Sequence, residues 1–100
     1  MIMATLEKTI ERSLIDMVKS HGGMCLKWVC PGWLGVPDRI CLLPGGRIFF
    51  VEVKRPTGGS RGEMQKQWAK WLRRLGFAHL WIHTREEIAA FERLIVHKEV

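Results

Sequence analysis

The chain has 100 residues, of which 47% are hydrophobic and 26% are charged, and it carries a net charge of +6. This mix is typical of globular proteins and excludes disordered, collagen-like and low-complexity classes. A chain of this length has room for one domain, which we expect to span residues 1–100. We expect no membrane partner, because no window approaches the roughly 18 uninterrupted apolar residues of a membrane span.

The first third of the chain predicts a helix, a short strand and a loop. Residues 5–21 place apolar side chains at helical spacing, and Gly22-Gly23 follows as a stop signal. The segment from Met24 to Cys30 is short, apolar and bounded by glycine and proline, which favours a strand. Residues 31–37 are rich in proline and glycine and predict a loop.

Two further strands are expected next, from Asp38 to Leu43 and from Arg47 to Lys54. The residues between them, 44–46, read Pro-Gly-Gly and predict a tight turn, so the two strands would form an antiparallel hairpin. Residues 56–62 contain three glycines and predict a loop.

The last part of the chain predicts two helices separated by a strand. Ser60 and Glu63 form a capping-box pattern that opens the second helix, whose apolar residues recur at helical spacing. Alternation from residue 77 to 83 predicts a fourth strand, and Thr84 with Glu87 forms another capping box that opens the third helix. The resulting order, α-β-β-β-α-β-α, predicts one mixed α/β domain.

The cysteines bear on the cellular compartment. Cys25, Cys30 and Cys41 are odd in number and lie in apolar stretches, so we expect buried free thiols rather than a disulfide framework. Such thiols suit the reducing cytoplasm, and the charged residues of the first helix do not match a secretory signal. The sequence therefore predicts a cytoplasmic protein.

Glu52 and Lys54 are charged residues in an otherwise apolar strand. The two-residue period of a strand puts both on one face, whereas Val51 and Val53 point to the other. Charges on a mostly buried strand are costly unless they are paired or used in function. The pattern therefore allows either a structural ion pair at the strand end or a functional site.

The turn length decides whether a second carboxylate joins Glu52. A three-residue turn at 44–46 would pair Leu43 with Arg47 and place Asp38 opposite Glu52, with Cβ atoms roughly 4.5–5.5 Å apart. A two-residue turn would instead send Asp38 to the opposite face. Two carboxylates this close could hold one divalent cation, and their hard oxygens favour Mg²⁺ or Mn²⁺.

Lys54 lies two residues beyond Glu52 on the same predicted face. It could orient or deprotonate an attacking water, or neutralise charge that develops on a phosphate. Metal-assisted phosphodiester hydrolysis requires this arrangement. A third carboxylate from the first helix would complete the site, and Glu7 and Glu11, one turn apart, are both available.

Four motifs together resemble those of one known family. In chain order they are Gly35-Val36-Pro37-Asp38-Arg39, Leu43-Pro44-Gly45-Gly46-Arg47, Val51-Glu52-Val53-Lys54-Arg55-Pro56 and Gln65 in the following helix. The pattern is similar to that of a stand-alone phage or bacterial VRR-NUC domain, the virus-type replication-repair nuclease branch of the PD-(D/E)xK superfamily. It covers nearly the whole chain. The resemblance implies a restriction-endonuclease-like core with a central mixed sheet flanked by helices.

The resemblance also implies a role for each matching residue. Asp38 and Glu52 would bind Mg²⁺ or Mn²⁺, Lys54 would assist the attacking water, and Gln65 would support the site from the second helix. The position of the helix-one glutamate is similar to that in archaeal Holliday-junction resolvases and favours Glu11, with Glu7 as the alternative.

The resemblance further implies a homodimeric endonuclease for branched DNA, four-way junctions in particular, in a bacterial cell or a phage-infected host. Seven basic residues and one acidic residue lie between positions 54 and 74, whereas the charges of the rest of the chain cancel. A local positive field of this kind suits a polyanionic partner. The residues expected to contact DNA are Trp33, Arg39, Arg55, Arg61, Lys66 and Lys70.

Two other functions stay open from the sequence. One is a non-catalytic nucleic-acid-binding module in which the acidic pair is structural, and the other is a small subunit that docks on a larger replication or repair protein through its tryptophans. Trp33 lies in the predicted loop, whereas Trp28 and Trp81 are expected to pack in the core and Trp68 and Trp71 in the core or a dimer interface. No nucleotide cofactor is expected, because Gly58-Gly59 lacks the Lys-Ser/Thr ending of a P-loop.

Overall fold

A computed structural model of the chain describes residues 2–55 and 61–97, with side chains from Leu6 onward. The elements in these ranges follow the predicted order. They are α1 (Ile2–Ser20), β1 (Met24–Lys27), β2 (Arg39–Leu43), β3 (Arg47–Val53), α2 (Glu63–Arg74), β4 (Ala78–Ile82) and α3 (Arg85–Val96).

The strands form one mixed sheet in the order β1-β2-β3-β4, with antiparallel pairing from β1 to β3 and parallel pairing between β3 and β4. Leu43 pairs with Arg47, so the connection at 44–46 is the three-residue turn. Gly45 and Gly46 both have positive φ there, at 86° and 74°, which glycine adopts without strain. The parallel pair is joined through α2, so the sequence's mixed α/β prediction is confirmed.

Helices α1 and α3 pack together on one face of the sheet and enclose the hydrophobic core. The apolar stripes of the two helices meet side chains from alternate positions of the central strands, as the two-residue strand period requires. Phe49 and Phe91 lie at the centre, with ring centroids 4.9 Å apart. Arg47 fastens the far end of α3 by donating a hydrogen bond to the Ile95 carbonyl at 2.8 Å.

Helix α2 covers the opposite face, where Ala69 and Leu72 are buried. Phe50 is buried beneath it, with Trp28 and Phe77 rings 5.3 and 5.5 Å away. The even-numbered side chains of β3 therefore lie under α2, and the larger hydrophobic core lies on the other face of the sheet.

The helix starts agree with the sequence at one place and differ at another. The predicted box at the start of α3 is confirmed, because Thr84 Oγ1 accepts from the Glu87 N–H and Glu87 Oε1 accepts from the Thr84 N–H. The predicted box at the start of α2 is wrong: the N-cap residue is Gly62. Ser60 itself, with most of the predicted loop at 56–62, lies outside the described residues.

Strand β1 ends earlier than predicted, at Lys27 rather than Cys30. Trp28 still donates from its backbone to the Asp38 carbonyl at 3.0 Å, and the next residue on the partner side is Pro37. Proline has no N–H with which to continue a ladder, so the pairing stops. In the described part of the chain, no helix is both long and apolar enough to cross a membrane.

The three cysteines are free thiols, as expected, but only Cys41 is buried, while Cys25 and Cys30 are half-buried. Cys25 and Cys41 are directly paired across β1 and β2, with Sγ atoms 3.7 Å apart. The contact with Cys25, and then burial, raise the pKa of the Cys41 thiol.

Candidate active site

Asp38 and Glu52 lie at one end of the β2–β3 hairpin. Arg39 pairs with Val51, so Asp38 and Glu52 are the next residues outward on the two strands. Asp38 faces the β3 backbone, and its Oδ2 accepts a hydrogen bond from the Val53 N–H at 2.9 Å. The three-residue turn therefore brings the two carboxyl groups together on the face covered by α2.

Glu52 has an unusual environment for a carboxyl group. Its side chain is 1% exposed, and neither carboxyl oxygen has a hydrogen-bond partner among the described residues. Burial first, and then the neighbouring Asp38 carboxyl, raises the pKa of Glu52 to about 9. A buried carboxylate without donors is unfavourable, whereas a cation would satisfy its oxygens. The donor set therefore fits a hard divalent ion such as Mg²⁺ or Mn²⁺.

Lys54 and Gln65 form the second part of the site. Lys54 follows β3 directly, and its backbone N–H still bonds to the Ile82 carbonyl of β4 at 2.9 Å. Its Nζ donates to Oε1 of Gln65 at 2.8 Å. The same Gln65 oxygen accepts from the Gly62 N–H at 3.0 Å, so the first turn of α2 fixes the amide that receives the lysine. The ammonium is therefore held on the same side of the sheet as Glu52.

The structure places Glu11 away from this pair. Its Oε2 accepts from Nε of Arg39 at 3.0 Å, and α1 packs on the sheet face opposite to α2. In residues 2–55 and 61–97, no group of three histidine, cysteine, aspartate or glutamate side chains is placed to hold a metal ion. As placed here, neither Glu11 nor the alternative Glu7 completes the expected set of three carboxylates.

The predicted DNA-contacting residues differ in what they touch. Arg39 is half-buried and engaged by Glu11, so its guanidinium is occupied. Arg61 stacks over the ring of Trp81, with the guanidinium carbon 4.3 Å from the ring centroid. Trp81 is the register partner of Glu52 on β4, so this stacking lies on the sheet face that carries Glu52, close to His79.

The basic residues of α2 are mostly open to solvent. Lys66 is exposed and pairs with Glu63 one turn earlier, at 3.2 Å, and Lys70 is exposed further along the helix. Arg55, just after Lys54, is half-buried. These side chains form a positive surface that begins at the candidate site and follows α2, as the charge distribution predicts.

The loop before Asp38 rests on α2 through an aromatic cluster. Trp33 contacts Trp68 and Trp71 edge-on, with ring centroids 5.6 and 6.3 Å away, and Trp68 Nε1 donates to the Leu34 carbonyl at 2.9 Å. Trp33 and Leu34 nevertheless remain 55% and 77% exposed. Gly35 permits this close approach, because a Cβ there would lie 2.5 Å from Met64 Cβ. The loop thus presents apolar side chains beside the candidate site.

The sequence and the fold were compared with those of known proteins. No protein-family model matches the sequence. A solved structure described as a "VRR_NUC domain" superposes on 93% of this chain and 97% of its own, with a TM-score of 0.81 and 25% sequence identity. The chain has the fold of a VRR-NUC domain. The restriction-endonuclease-like fold that the motifs imply is therefore observed across nearly the whole chain.

A curated relative is named as a nuclease. It is named "Putative nuclease p44", comes from Acyrthosiphon pisum secondary endosymbiont phage 1, and is 50% identical over 50 residues. That match spans 50% of this chain and 54% of the phage protein, so the chain covers about half the length of the relative.

Two features of the site were not predicted from the sequence. His79, on the α2 face of β4, is 2% exposed, and neither ring nitrogen has a partner among the described residues. The stacking of Arg61 on Trp81 was also missed. The alternation of β4 puts His79 and Trp81 on the same face of that strand. Which residues of β3 they lie beside depends on the parallel register of the two strands, a long-range contact that local spacing does not encode.

Proposed function

We propose that this VRR-NUC-type domain is a nuclease that uses Mg²⁺ or Mn²⁺ to hydrolyse phosphodiester bonds in DNA. The observation that carries the proposal is Glu52, a buried carboxylate with unsatisfied oxygens, next to Asp38 and two residues from Lys54. An unpaired buried carboxyl group is unfavourable for folding, and such groups occur in proteins at sites where a ligand satisfies them. The name of the phage relative points to the same chemistry.

The carboxyl groups of Asp38 and Glu52 would hold the ion. When bound, Mg²⁺ or Mn²⁺ supplies Lewis-acid chemistry by polarising a phosphate oxygen and making a water more acidic. Glu11 is proposed as a further ligand, with Glu7 as the alternative, and for Glu11 this requires release of its carboxylate from Arg39. This ion pair is part-buried, so metal binding would have to offset the loss of the contact between Glu11 and Arg39.

Lys54 would act on the reacting groups themselves. Its Nζ is held by Gln65, and from that position it can orient the attacking water, take up its proton or neutralise charge developing on the phosphate. Gln65 acts through Lys54 and is a positioning residue. Arg61, stacked on Trp81, would add positive charge for the scissile strand on the same face of the sheet.

The substrate is proposed to be branched DNA, four-way junctions in particular. The basic surface after Lys54 offers Arg55, Arg61, Lys66 and Lys70 to phosphates, which suits recognition of backbone shape rather than base sequence. The exposed Trp33 lies beside this surface, where a base at an interrupted stack could meet it. Arg39 would join only if Glu11 released it.

A homodimer is proposed as the working form, because cutting two strands symmetrically needs two sites related by a two-fold axis. The relative from a phage and the free thiols favour the cytoplasm of a bacterial cell or a phage-infected host as its location. Light scattering with and without junction DNA tests the dimer. A monomer in both conditions would contradict it.

The activity test uses a labelled four-way junction and a linear duplex of the same sequence, each with Mg²⁺, with Mn²⁺ and with EDTA. The proposal predicts cleavage with either metal, preference for the junction, and no cleavage in EDTA. Lys54→Ala should bind the junction but not cut it, while the matched control Lys19→Ala, at an exposed lysine of α1, should cut normally. Cleavage that survives EDTA, or none with any metal, would overturn the proposal.

A second candidate is a non-catalytic nucleic-acid-binding module. It is favoured by one observation, namely that Glu11 is engaged with Arg39 and leaves two carboxylates together instead of three. This candidate predicts junction binding by both the native chain and Lys54→Ala, with no cutting by either. It also predicts that Mn²⁺ does not bind at the carboxylate pair.

A further inference from the structure

A groove between α1 and the start of α3 has an unusual lining. Its volume is about 410 Å³, and it is formed by the side chains of Lys8, Thr9, Arg12, Ser13 and Arg85. Three of these residues are basic, two carry hydroxyl groups, and none is acidic. Lys8, Arg12 and Arg85 are exposed, and within the described part of the chain none of the three has an ion pair.

The fold creates this groove from residues whose charges cancel along the sequence. Glu11, adjacent to Arg12, is turned away to Arg39. Glu87, two residues after Arg85, accepts from the Thr84 N–H in the cap of α3. No carboxylate lines the groove itself, although Arg85 also borders an adjoining pocket that contains Asp16 and Glu92.

The groove lies at the same end of the sheet as the candidate site. Arg85 begins α3 three residues after Ile82, whose carbonyl accepts from the Lys54 N–H. The Glu11–Arg39 ion pair ties the neighbouring turn of α1 to the residue after Asp38. The groove is on the α1 and α3 side of the sheet, whereas Lys66 and Lys70 lie on the α2 side. Basic groups therefore lie on both sides of the sheet.

The lining chemistry matches the phosphodiester backbone. Lysine and arginine neutralise phosphates and release counterions, and hydroxyl groups donate hydrogen bonds to phosphate oxygens. A strand whose scissile bond reaches Glu52 continues in both directions, and one direction leads past the end of the sheet to α1. A polymer with repeating negative charge could contact both the groove and the basic residues of α2, whereas a single small anion could contact only one of them.

We propose that the groove lined by Lys8, Arg12 and Arg85 is a second DNA-backbone site, which holds the substrate on the opposite side of the carboxylate pair from α2. This rests on the proposed function, since it extends the path of the same DNA. It assigns DNA contacts to α1 and α3, outside the basic segment at 54–74.

Binding is measured without cleavage, by fluorescence anisotropy of a labelled four-way junction in EDTA over a series of salt concentrations. Arg12→Ala with Arg85→Ala should weaken binding about ten-fold or more and reduce the slope of log Kd against log salt by roughly 1–2, the change for one or two lost phosphates. The control, Lys19→Ala with Arg93→Ala, removes the same charge from exposed positions elsewhere on α1 and α3 and should change Kd less than two-fold.

Arg12→Lys with Arg85→Lys keeps the charge and should bind within about three-fold of the native chain, which separates phosphate binding from damage to the fold. Equal loss in the groove and control variants would overturn the proposal, because it would reduce the effect to net charge. Unchanged binding by the groove variant would also overturn it, even if inorganic phosphate raised the melting temperature of the native chain. Since no step requires cutting, a chain that bound DNA through the groove but never cleaved it would contradict the nuclease proposal alone.

Discussion

The Nζ atom of Lys54 donates a hydrogen bond to Oε1 of Gln65 at 2.8 Å and thereby joins the end of β3 to the first turn of α2. Lys54 shares its sheet face with Glu52. The amide of Gln65 is itself fixed by the Gly62 N–H. The lysine thus has a defined position before any substrate arrives, which lowers the cost of using it in a reaction.

Gln65→Ala should lower kcat for DNA cleavage roughly ten-fold and leave KM nearly unchanged, because one hydrogen bond to a charged group is worth about 1.5–3 kcal/mol. Lys54→Ala should cost more, about 10²–10⁴-fold. Gln65→Glu keeps an acceptor oxygen and should retain most of the activity. Single-turnover cleavage provides the measurement, with Gln67→Ala on the same helix as control. Equal effects at positions 65 and 67 would argue against the positioning role.

The raised pKa of Glu52 predicts how stability depends on pH without metal. The folded chain keeps this carboxyl protonated up to about pH 9, whereas in the unfolded chain it ionises near 4.5. The folded state therefore binds an extra proton between these values, and the stability from Glu52 is lost as pH rises through that window. Glu52→Gln, which cannot ionise, should melt progressively higher than the native chain as pH rises.

Thermal melting in EDTA from pH 5 to 9 measures this difference. One kcal/mol corresponds to about 4–8 °C in a domain of this size, so the divergence should be readily visible. Asp16→Asn, at an exposed position of α1, is the control and should follow the native curve. Parallel curves for Glu52→Gln and the native chain would show that Glu52 is not held protonated.

Metal binding should release protons at neutral pH. Glu52 must ionise to bind a cation, and its pKa of about 9 means that it is protonated beforehand. Calorimetric titration with Mn²⁺ at pH 7 in buffers of different ionisation enthalpy should give close to one proton per site. Affinity should rise as pH increases from 6 to 8. Proton release that stayed the same in Glu52→Gln would assign the effect to another group.

His79 gives a second, oppositely signed pH effect on stability. Burial foremost, then Arg73, lowers the pKa of His79 to about 4, from 6.5 in the unfolded chain. The unfolded state therefore binds more protons between pH 4 and 6.5, so stability is full above 6.5 and falls as pH decreases through the window. Replacement by phenylalanine should remove roughly 1–3 kcal/mol of this loss. Urea unfolding at pH 7 and pH 4.5 measures it, and an unchanged loss in His79→Phe would exclude the assignment.

The β2–β3 hairpin could be predicted because it depends on local sequence. The Pro-Gly-Gly segment allowed a turn of two or three residues, and the structure has the three-residue turn, which places Asp38 and Glu52 on one face. Lys54 follows from the same period. The position of Gln65 required the family resemblance, since nothing local relates a residue of α2 to the end of β3.

The environment of Glu11 could not be predicted in the same way. Helical spacing identifies the exposed side of α1, but the partner of the carboxylate is Arg39, 28 residues away. The groove at Arg12 and Arg85 could not be predicted from the sequence for a related reason. Acidic and basic residues alternate there along the chain, and only the packing of α1 against α3 separates them in space.

The most direct test of the account is a crystal structure grown with Mn²⁺ and measured at the manganese absorption edge. We expect an anomalous peak between the carboxylates of Asp38 and Glu52, with metal–oxygen distances of about 2.1 Å. The same map would identify Glu11 or Glu7 if either moves to complete the site. Glu52→Gln crystals grown in the same way should lack the peak. A native crystal with Mn²⁺ bound elsewhere and none between Asp38 and Glu52 would contradict the account.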